Sequence, residues 1–436
     1  MGGVTTRTVA RLAGAVYWTK DIWASARPVP APAQFPPHPI PTILREVRRS
    51  ESLACARRHN KGIRVPRLST LLLGLGACLG LLIAPASYAG KTRNVILVIS
   101  DGVRWQEVFT GADPLLLNDK AGGSWTPVAE LKQKYWSDDP MVRRKLLFPF
   151  LWGTVATHGQ LLGNQQRGSV AHVTNPMWFS YPGYNEMSSG VADPHIDSNE
   201  FGPNPNVTVF EWLNTRPGFQ GKVEIFGTWS AFADIFNGPR SKLPIRAGAT
   251  LVDVSDQSPR GRLLTELYQT TTRLEGSDPF DSFLHVTLRE HLKTHRPRVL
   301  FVGYGDTDTW QHVGRYDALL ETAHSFDAFL ADLWNQIQSI PEYKDCTTLI
   351  VSTDHGRGSG PVEWKDHGVE EKGSQNIWIG VLGPDTAPLG ERHDIATVTQ
   401  SQIAATIAAL VGEDFRAFKP AAAPSLLEVL GAPGHP

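Results

Sequence analysis

Residues 298–314, RVLFVGYGDTDTWQHVG, place a short apolar run directly before a cluster of polar side chains. The run Val299–Gly303 is rich in Val and Phe, which predicts an interior strand of a parallel sheet. In open α/β sheets ligands bind at the carboxyl ends of the strands, so Asp306, Asp308 and His312 lie where chemistry is expected. Asp308 and His312 are four residues apart and share one face if the segment is helical. A capped helix start with a surface histidine is an equally good interpretation of this pair alone.

Two further apolar runs, residues 94–100 and 347–352, also end in polar side chains. Those side chains are Asp101, Asp354 and His355, and His367 follows on a later loop. Because the carboxyl ends of parallel strands meet at one edge, we expect all of these positions to converge. Three Asp and three His suffice for two three-ligand metal sites with open positions. We expect Asp306 to be a capping or supporting residue, because Asp308 has the partner at the right spacing.

Buried strands alternate with helical patterns along the rest of the chain. This alternation predicts a three-layer α/β/α sandwich around a mixed, mostly parallel central sheet. Further predicted strands are Lys222–Phe226, Asn376–Leu382 and, more weakly, Gly153–Leu162. Predicted helices are Val207–Asn214, Leu263–Thr272, Phe280–Thr294, Tyr316–Ile340 and Val398–Leu410. We predict a structured loop at Thr174–Gly190. We predict that Thr110–Arg144 is part of an insertion near residues 110–150.

The beginning of the chain differs in composition from the remainder. Residues 1–66 contain eleven Lys/Arg against three Asp/Glu and are rich in Pro, which is typical of a disordered extension. A mis-called start codon is the other explanation for this segment. Residues 67–89 combine a basic flank, an apolar run and small residues at Ser87 and Ala89, as in a secretory signal peptide that is cleaved after Ala89. A single-pass anchor is the alternative. Leu75-Gly76-Ala77-Cys78 also resembles a lipoprotein box, but apolar residues continue well past Cys78, which disfavours acylation there. We therefore expect a periplasmic or secreted body, residues 90–436, without a stable membrane span.

Charge and cysteine content exclude several function classes. The chain has a net charge of −1, and the residues after Arg67 carry −10, which argues against nucleic-acid binding. Of three cysteines, Cys346 alone lies in the body. An intrachain disulfide and a cysteine zinc site are thereby excluded, so a metal must be held by His and carboxylate.

Five motifs together resemble those of the alkaline phosphatase superfamily, most closely its type I phosphodiesterase/nucleotide pyrophosphatase branch. They are Ser100-Asp101-Gly102, the segment 308–312, Asp354-His355-Gly356, Asp366-His367-Gly368 and the segment 180–190, SYPGYNEMSSG. The resemblance implies an alkaline phosphatase-like catalytic domain in which Ser180 is the nucleophile. It also implies one metal on Asp101, Asp354, His355 and Ser180, and another on Asp308, His312 and His367. Asn199 is the nearest match to a phosphoryl-binding Asn, with Asn204 and Asn206 as rivals.

The resemblance also implies the chemistry. Two divalent cations activate a serine hydroxyl, which attacks a small phosphorylated substrate to give a phosphoserine that water hydrolyses. Imidazole and carboxylate ligands suit zinc, with manganese or iron as alternatives. Ser169, Ser188 and Ser189 are rival nucleophiles. A phosphotransferase or mutase, a sulfatase-like enzyme and a non-catalytic metal-binding envelope protein are the alternative functions. The sulfatase cysteine is missing, which disfavours that alternative.

Overall fold

The computed structural model describes residues 90–273 and 278–430. Their strands are β1 (Asn94–Ser100), β2 (Gln160–Leu162), β3 (Ala171–His172), β4 (Val223–Gly227), β5 (Ile245–Ala247), β6 (Val299–Tyr304), β7 (Thr347–Ser352), β8 (Ile379–Leu382), β9 (Gly390–Glu391) and β10 (Val398–Thr399). Their α-helices are α1 (Trp105–Thr110), α2 (Val128–Tyr135), α3 (Pro140–Leu147), α4 (Ala156–His158), α5 (Ser180–Ser189), α6 (Val209–Asn214), α7 (Phe232–Ile235), α8 (Gly238–Ser241), α9 (Pro259–Thr270), α10 (Asp281–His291), α11 (Asp306–Val313), α12 (Tyr316–Ser339), α13 (Gln402–Leu410) and α14 (Phe415–Phe418). The predictions for residues 1–66 and 67–89 lie outside the described residues.

Eight of these strands form one central sheet in the order β5-β4-β6-β1-β7-β8-β2-β9. The pairs from β5 to β7 are parallel, and only β8 runs antiparallel to both of its neighbours. The last pair, β2 with β9, is parallel again. The predicted mixed, mostly parallel sheet is therefore confirmed.

The central strand β1 explains why helices cover both faces of the sheet. All seven of its residues are buried, as expected of a continuous apolar run in a parallel sheet. Ile96 and Val98 pack into one core with α3, α10 and α12. Val95, Leu97 and Ile99 pack into a second core with α5, α6 and α13. Alternate side chains of the strand thus pack against helices on opposite faces of the sheet. The predicted three-layer α/β/α fold is confirmed.

The register of the three central strands aligns the ends that carry the candidate site. In β1, Ser100 is level with Tyr304 of β6, and Ile99 is level with Ser352 of β7. Each of these strands gives way to polar residues within a few positions. The polar residues that follow β1, β6 and β7 therefore emerge side by side at one edge.

Several predicted elements differ from the structure in extent or type. The weak strand Gly153–Leu162 is wrong over most of its length, because Leu151–Val155 is a π-helix and only Gln160–Leu162 is extended. The carboxylate of Asp327 accepts hydrogen bonds from the backbone N–H groups of Phe150 and Leu151, which satisfies the start of this helical segment. Val398 belongs to β10 and not to a helix, since α13 begins at Gln402.

The predicted loop Thr174–Gly190 is half helical. Its second half forms α5, in which Pro182 occupies the third position, where a missing N–H costs little. Gly190 ends the helix with a φ of 76°, in the left-handed region that glycine tolerates. All ten residues of α5 are buried, so tertiary packing, not local propensity, stabilises this helix.

The segment Thr110–Arg144 contains α2 and the start of α3 and packs against α12. That it is an insertion stays a prediction. Among the described residues, no helix is both long enough and apolar enough to cross a membrane.

Candidate active site

Asp101, Asp354 and His355, here called the buried group, meet beyond the ends of β1 and β7. His355 Nε2 lies 3.4 Å from Asp101 Oδ1 and 3.4 Å from Asp354 Oδ2. All three residues are at most 6% exposed. His355 Nδ1 lies 2.9 Å from the carbonyl oxygen of Gly356, a contact that it makes as a donor, leaving Nε2 free to bind a cation.

Asp308, His312 and His367, here called the outer group, lie beside the buried group. His312 Nε2 is 3.3 Å from Asp308 Oδ2 and 3.0 Å from His367 Nε2. Asp308 Oδ1 is 3.8 Å from His367 Nε2 and 3.9 Å from His355 Nε2 of the buried group. The ligand atoms within each group lie within 4.8 Å of one another. The structure thus brings all six candidate ligands into two adjoining clusters.

Ser180 stands at the first position of α5 with its hydroxyl directed at the buried group. Its Oγ lies 3.2 Å from His355 Nε2, and the residue is 6% exposed. The helix N-terminus places a partial positive charge beside this oxygen. Two residues earlier, Trp178 has a φ of 58°, an unusual conformation for a large side chain and a source of local strain.

Several residues that the sequence did not single out orient these side chains. The carboxylate of Glu186, fully buried, accepts bonds from the backbone N–H groups of Thr174, Asn175 and Ser401 and so organises the approach to Ser180. Tyr184 donates its hydroxyl to Asp101 Oδ2 at 3.0 Å.

The backbone of the buried group is supported as well. Gln400 Nε2 donates to the carbonyl oxygen of Asp354 at 2.7 Å. The N–H of Gly102, a residue with a φ of 64°, donates to Asp354 Oδ1 at 3.1 Å. These contacts depend on positions far apart in the chain, which is why no sequence pattern reveals them.

The buried carboxylates strongly affect the titration of the site. Burial, together with the charges of Asp354 and Asp308, raises the pKa of Asp101 well above its usual range. Burial lowers the pKa of His355, but the carboxylates of Asp354 and Asp101 outweigh this and raise it to about 9. Burial would raise the pKa of Asp308, but the guanidinium of Arg357 holds it well below its usual range. Burial and crowding of the carboxylates therefore favour the protonated forms of Asp101 and His355 where no cation is bound.

The residues present fit divalent cations. Two oxygen atoms of the buried group lack a hydrogen-bond partner: Asp101 Oδ1 and Asp354 Oδ2. Buried polar atoms are rarely left unpaired, so these orphaned acceptors indicate a missing partner. Three oxygen and three nitrogen donors in two sets of three match the ligand types of zinc and similar ions.

A cavity of about 370 Å³ is lined by Ser180 and by one carboxylate of each group, Asp101 and Asp308. Its lining includes Asp101, Ser180, Asn199, Thr228, Trp229, Phe280, Asp308 and Thr309. Asn199 Oδ1 accepts the backbone N–H of Tyr181 at 2.9 Å, which holds this amide beside the start of α5.

The alternative candidates for the phosphoryl-binding Asn, the nucleophile and the metal ligand make other contacts. The side chains of Asn204 and Asn206 both donate to Asn185 Oδ1, away from the cavity lining. Ser188 Oγ donates to the carbonyl oxygen of Tyr184 within α5. Asp306 lines the cavity, but its Oδ2 accepts the backbone N–H of Asp281, so it caps α10. This is the capping role expected of it.

The chain was compared with curated proteins, solved structures and protein-family profiles. No curated protein matches the chain. Among solved structures, the chain is similar to a protein of the alkaline phosphatase superfamily from Vibrio parahaemolyticus (15% identity, covering 76% of this chain and 69% of that chain, TM-score 0.41). It is also similar to a mutant of the alkaline phosphatase PafA (11%, 78% and 99%, TM-score 0.48) and to a phosphonate monoester hydrolase of Agrobacterium radiobacter (11%, 73% and 74%, TM-score 0.45).

A family profile described as type I phosphodiesterase/nucleotide pyrophosphatase matches residues 125–393, more than half of the chain. The match includes Ser180 and the outer group, whereas Asp101 precedes it. The family falls within the metal-dependent alkaline phosphatase superfamily, whose members hydrolyse phosphoric or sulfuric esters. The chain therefore belongs to the type I phosphodiesterase/nucleotide pyrophosphatase family of the alkaline phosphatase superfamily.

Proposed function

We propose that this protein is a two-metal hydrolase that cleaves small phosphate esters, monoesters or diesters, with Ser180 as its nucleophile. The observation that carries the proposal is the position of Ser180: its Oγ lies 3.2 Å from His355 Nε2, and the residue lines the same cavity as Asp101 and Asp308. A hydroxyl in this place faces any phosphoryl group that enters the cavity.

In this proposal Asp101, Asp354 and His355 hold one divalent cation together with Ser180. Asp308, His312 and His367 hold the other, and zinc is the ion that the donor set favours. When bound, the two cations supply Lewis-acid activation of the hydroxyl and stabilise charge on the entering and leaving oxygens.

The side chains of the protein perform the remaining steps. Ser180 Oγ attacks phosphorus, a new P–O bond forms, and the bond to the leaving alcohol breaks. Asn199 already accepts a backbone N–H through Oδ1, so its amide nitrogen is available to donate to a phosphoryl oxygen. Water then attacks the phosphoserine, which releases phosphate or a phosphomonoester and restores the hydroxyl.

Replacement of the nucleophile tests this proposal. With an aryl phosphate and a bis-aryl phosphate as substrates and metal-loaded protein, Ser180→Ala should lower turnover by roughly 10³-fold or more. Ser188→Ala is the matched control, because Ser188 is buried on the same helix and bonds only within it. Unchanged turnover by Ser180→Ala would overturn the mechanism. A phosphorylated Ser180 peptide, trapped by acid quench and detected by mass spectrometry, would support it.

A wider substrate screen separates the neighbouring reaction types. Phosphate release in water alone distinguishes a hydrolase from a phosphotransferase or mutase. Sulfate esters and phosphonates in the same screen address the related hydrolases, whose chemistry places similar charge on the transferred group.

We also propose that the protein is exported, with residues 67–89 removed as a signal peptide. The apolar run and the small residues at Ser87 and Ala89 support this proposal. N-terminal sequencing of the native protein should begin at Gly90. A mature protein that still contained residues 1–60 would contradict both the export signal and the mis-called start.

A further inference from the structure

The side chain of Arg357 joins the two segments that build the outer group. Asp308 and His312 lie on α11, whereas His367 lies on the loop that follows β7. Arg357 Nη2 forms an ion pair with Asp308 Oδ1 and also lies 3.4 Å from the backbone carbonyl oxygen of Asp308. Its Nη1 donates to the carbonyl oxygen of Lys365, two residues before His367, at 2.5 Å.

Arg357 is only 1% exposed, so its charge is removed from water. An uncompensated buried charge is costly, and the carboxylate of Asp308 provides the compensation. A planar guanidinium can bond to a carboxylate and a carbonyl oxygen at the same time, which the single ammonium of lysine cannot reproduce in the same geometry.

The space around this guanidinium is shaped by Gly102. A Cβ at Gly102 would lie 2.9 Å from both Arg357 Nε and Asp308 Oδ1. Any larger residue there would displace the ion pair. The turn after β1, which presents Asp101 to the buried group, therefore also leaves room for the contact that supports the outer group.

We propose that Arg357 is a positioning residue of the outer group, holding Asp308 and the His367 loop at the spacing that a divalent cation requires. This inference rests on the proposed function, since it assigns Arg357 to the second of the two metal sites. Arg357 itself does not line the cavity, and its contact with the lining is through Asp308. Its effect should therefore appear in metal binding at one site only.

Metal binding by Arg357→Met and Arg357→Lys tests the inference. Full-length mature protein, stripped of metal, is titrated with zinc in metal buffers and separately with cobalt(II), whose visible absorption reports each ligand set. The wild type should bind two ions per chain. Arg357→Met should bind the first normally and the second roughly 10- to 100-fold more weakly, as for other residues that orient metal ligands.

Arg357→Lys keeps the buried charge and is the safeguard against misfolding of the Met variant. It should lie between Arg357→Met and the wild type in affinity for the second ion, and high free zinc should restore the turnover of both variants. Arg144→Lys is the matched control, because Arg144 is buried and pairs with Glu391 outside the site. It should leave both binding events unchanged.

The outcomes separate this inference from the proposed function. Two wild-type ions with an unchanged second affinity in both Arg357 variants would overturn the role of Arg357 alone. Equal weakening of both ions, with a lower unfolding temperature, would also overturn it, because Arg357 would then be a general structural residue. A wild-type chain that binds fewer than two ions would overturn the proposed two-metal function, and this inference with it.

Discussion

The two halves of the candidate site are built in different ways. The buried group follows directly from two neighbouring strands, and His355 and Asp354 are fully buried. The outer group combines one turn of α11 with a side chain from a loop, and the side chains of Asp308 and His312 are 19% and 35% exposed. Sheet register therefore positions the first set of ligands, whereas contacts between side chains and loops position the second.

This difference has a consequence for function. Parallel strands that share a register cannot move apart without breaking the ladder of hydrogen bonds, so the buried group is rigid. The outer group takes His367 from a loop, so no ladder of strand hydrogen bonds fixes its spacing. We expect the buried group to determine whether the reaction occurs, and the outer group to determine how strongly activity depends on free metal.

The largest expected effect compares one histidine from each group. His355→Gln should lower turnover of an aryl phosphate on the order of 10³-fold, about 4 kcal/mol of barrier, because it removes a ligand beside Ser180. His312→Gln should cost only roughly 10- to 100-fold at limiting zinc. Steady-state kinetics over a range of free zinc concentrations measures both.

His195→Gln serves as the control, because that histidine is exposed, pairs with Asp193 and is not part of the cavity lining. High zinc should rescue His312→Gln but not His355→Gln. Equal losses in the two variants, or rescue of both, would show that the two groups do not differ in the way described.

The central strands were predictable because each is a continuous apolar run between polar residues. Asn94–Ser100 and Thr347–Ser352 agree with the structure at both ends. The order of these strands in the sheet then brings the six candidate ligands together. Element α5 was not predictable, because its Pro and Gly indicate a loop and only burial on all sides makes it helical.

Arg357 and Glu186 show what a sequence cannot reveal. Each is a single charged residue without a spacing pattern, and its partners lie in other elements. A lone charge is most often a solvated surface residue, so nothing in the chain marks these two as buried. Their roles depend on three-dimensional contacts.

The next effect concerns the removal of metal. Chelation should destabilise the wild type, by about 2.7 kcal/mol for a site filled at one hundred times its Kd. Asp101→Asn should reverse this trend in part: without metal it should be about 1 kcal/mol more stable than the wild type, because it relieves repulsion among Asp101, Asp354 and Asp308. Urea unfolding at pH 8, with and without chelator, measures both.

Asp308→Asn is the informative counterpart in the outer group. Because Arg357 compensates Asp308, this substitution should destabilise the metal-free protein and not stabilise it. If both Asn variants were more stable than the wild type, the two groups would carry similar uncompensated charge. Arg357 would then not compensate Asp308 in the way described.

A smaller effect tests the close packing that holds Ser180 against the buried group. A Cβ at Gly183 on α5 would lie 2.4 Å from the carbonyl oxygen of Asp354, so Gly183→Ala must displace the helix. We expect a loss of about 1–3 kcal/mol in stability, and reduced turnover with unchanged metal stoichiometry. Gly153→Ala is the control, since its Cβ would enter open space. Wild-type turnover by Gly183→Ala would mean that this contact does not position Ser180.

A pH-dependent effect extends the comparison to a buried carboxylate whose partners are backbone amides. Burial raises the pKa of Asp327 to about 7, although the N–H groups of Phe150 and Leu151 oppose the shift. The folded state therefore retains a proton that the unfolded state has lost, and stability should fall as pH rises from about 4 to about 7. The slope should reach at most about 1.4 kcal/mol per pH unit. Asp327→Asn should remove this slope, as measured by urea unfolding across that range with chelator present.

Asp317 provides the opposite sign within the same experiment. Its carboxylate accepts bonds from the backbone N–H groups of Trp125 and Thr126 and pairs with Arg315, and its pKa is lowered. Its contribution to stability is present above the unfolded pKa near 4 and should be lost as pH falls below it. Asp317→Asn should thus flatten the acidic limb and leave the neutral limb unchanged. If Asp327→Asn instead altered stability only at acidic pH, the buried carboxyl of Asp327 would be ionised at neutral pH. Burial without a cation would then not be sufficient to protonate a carboxylate in this fold.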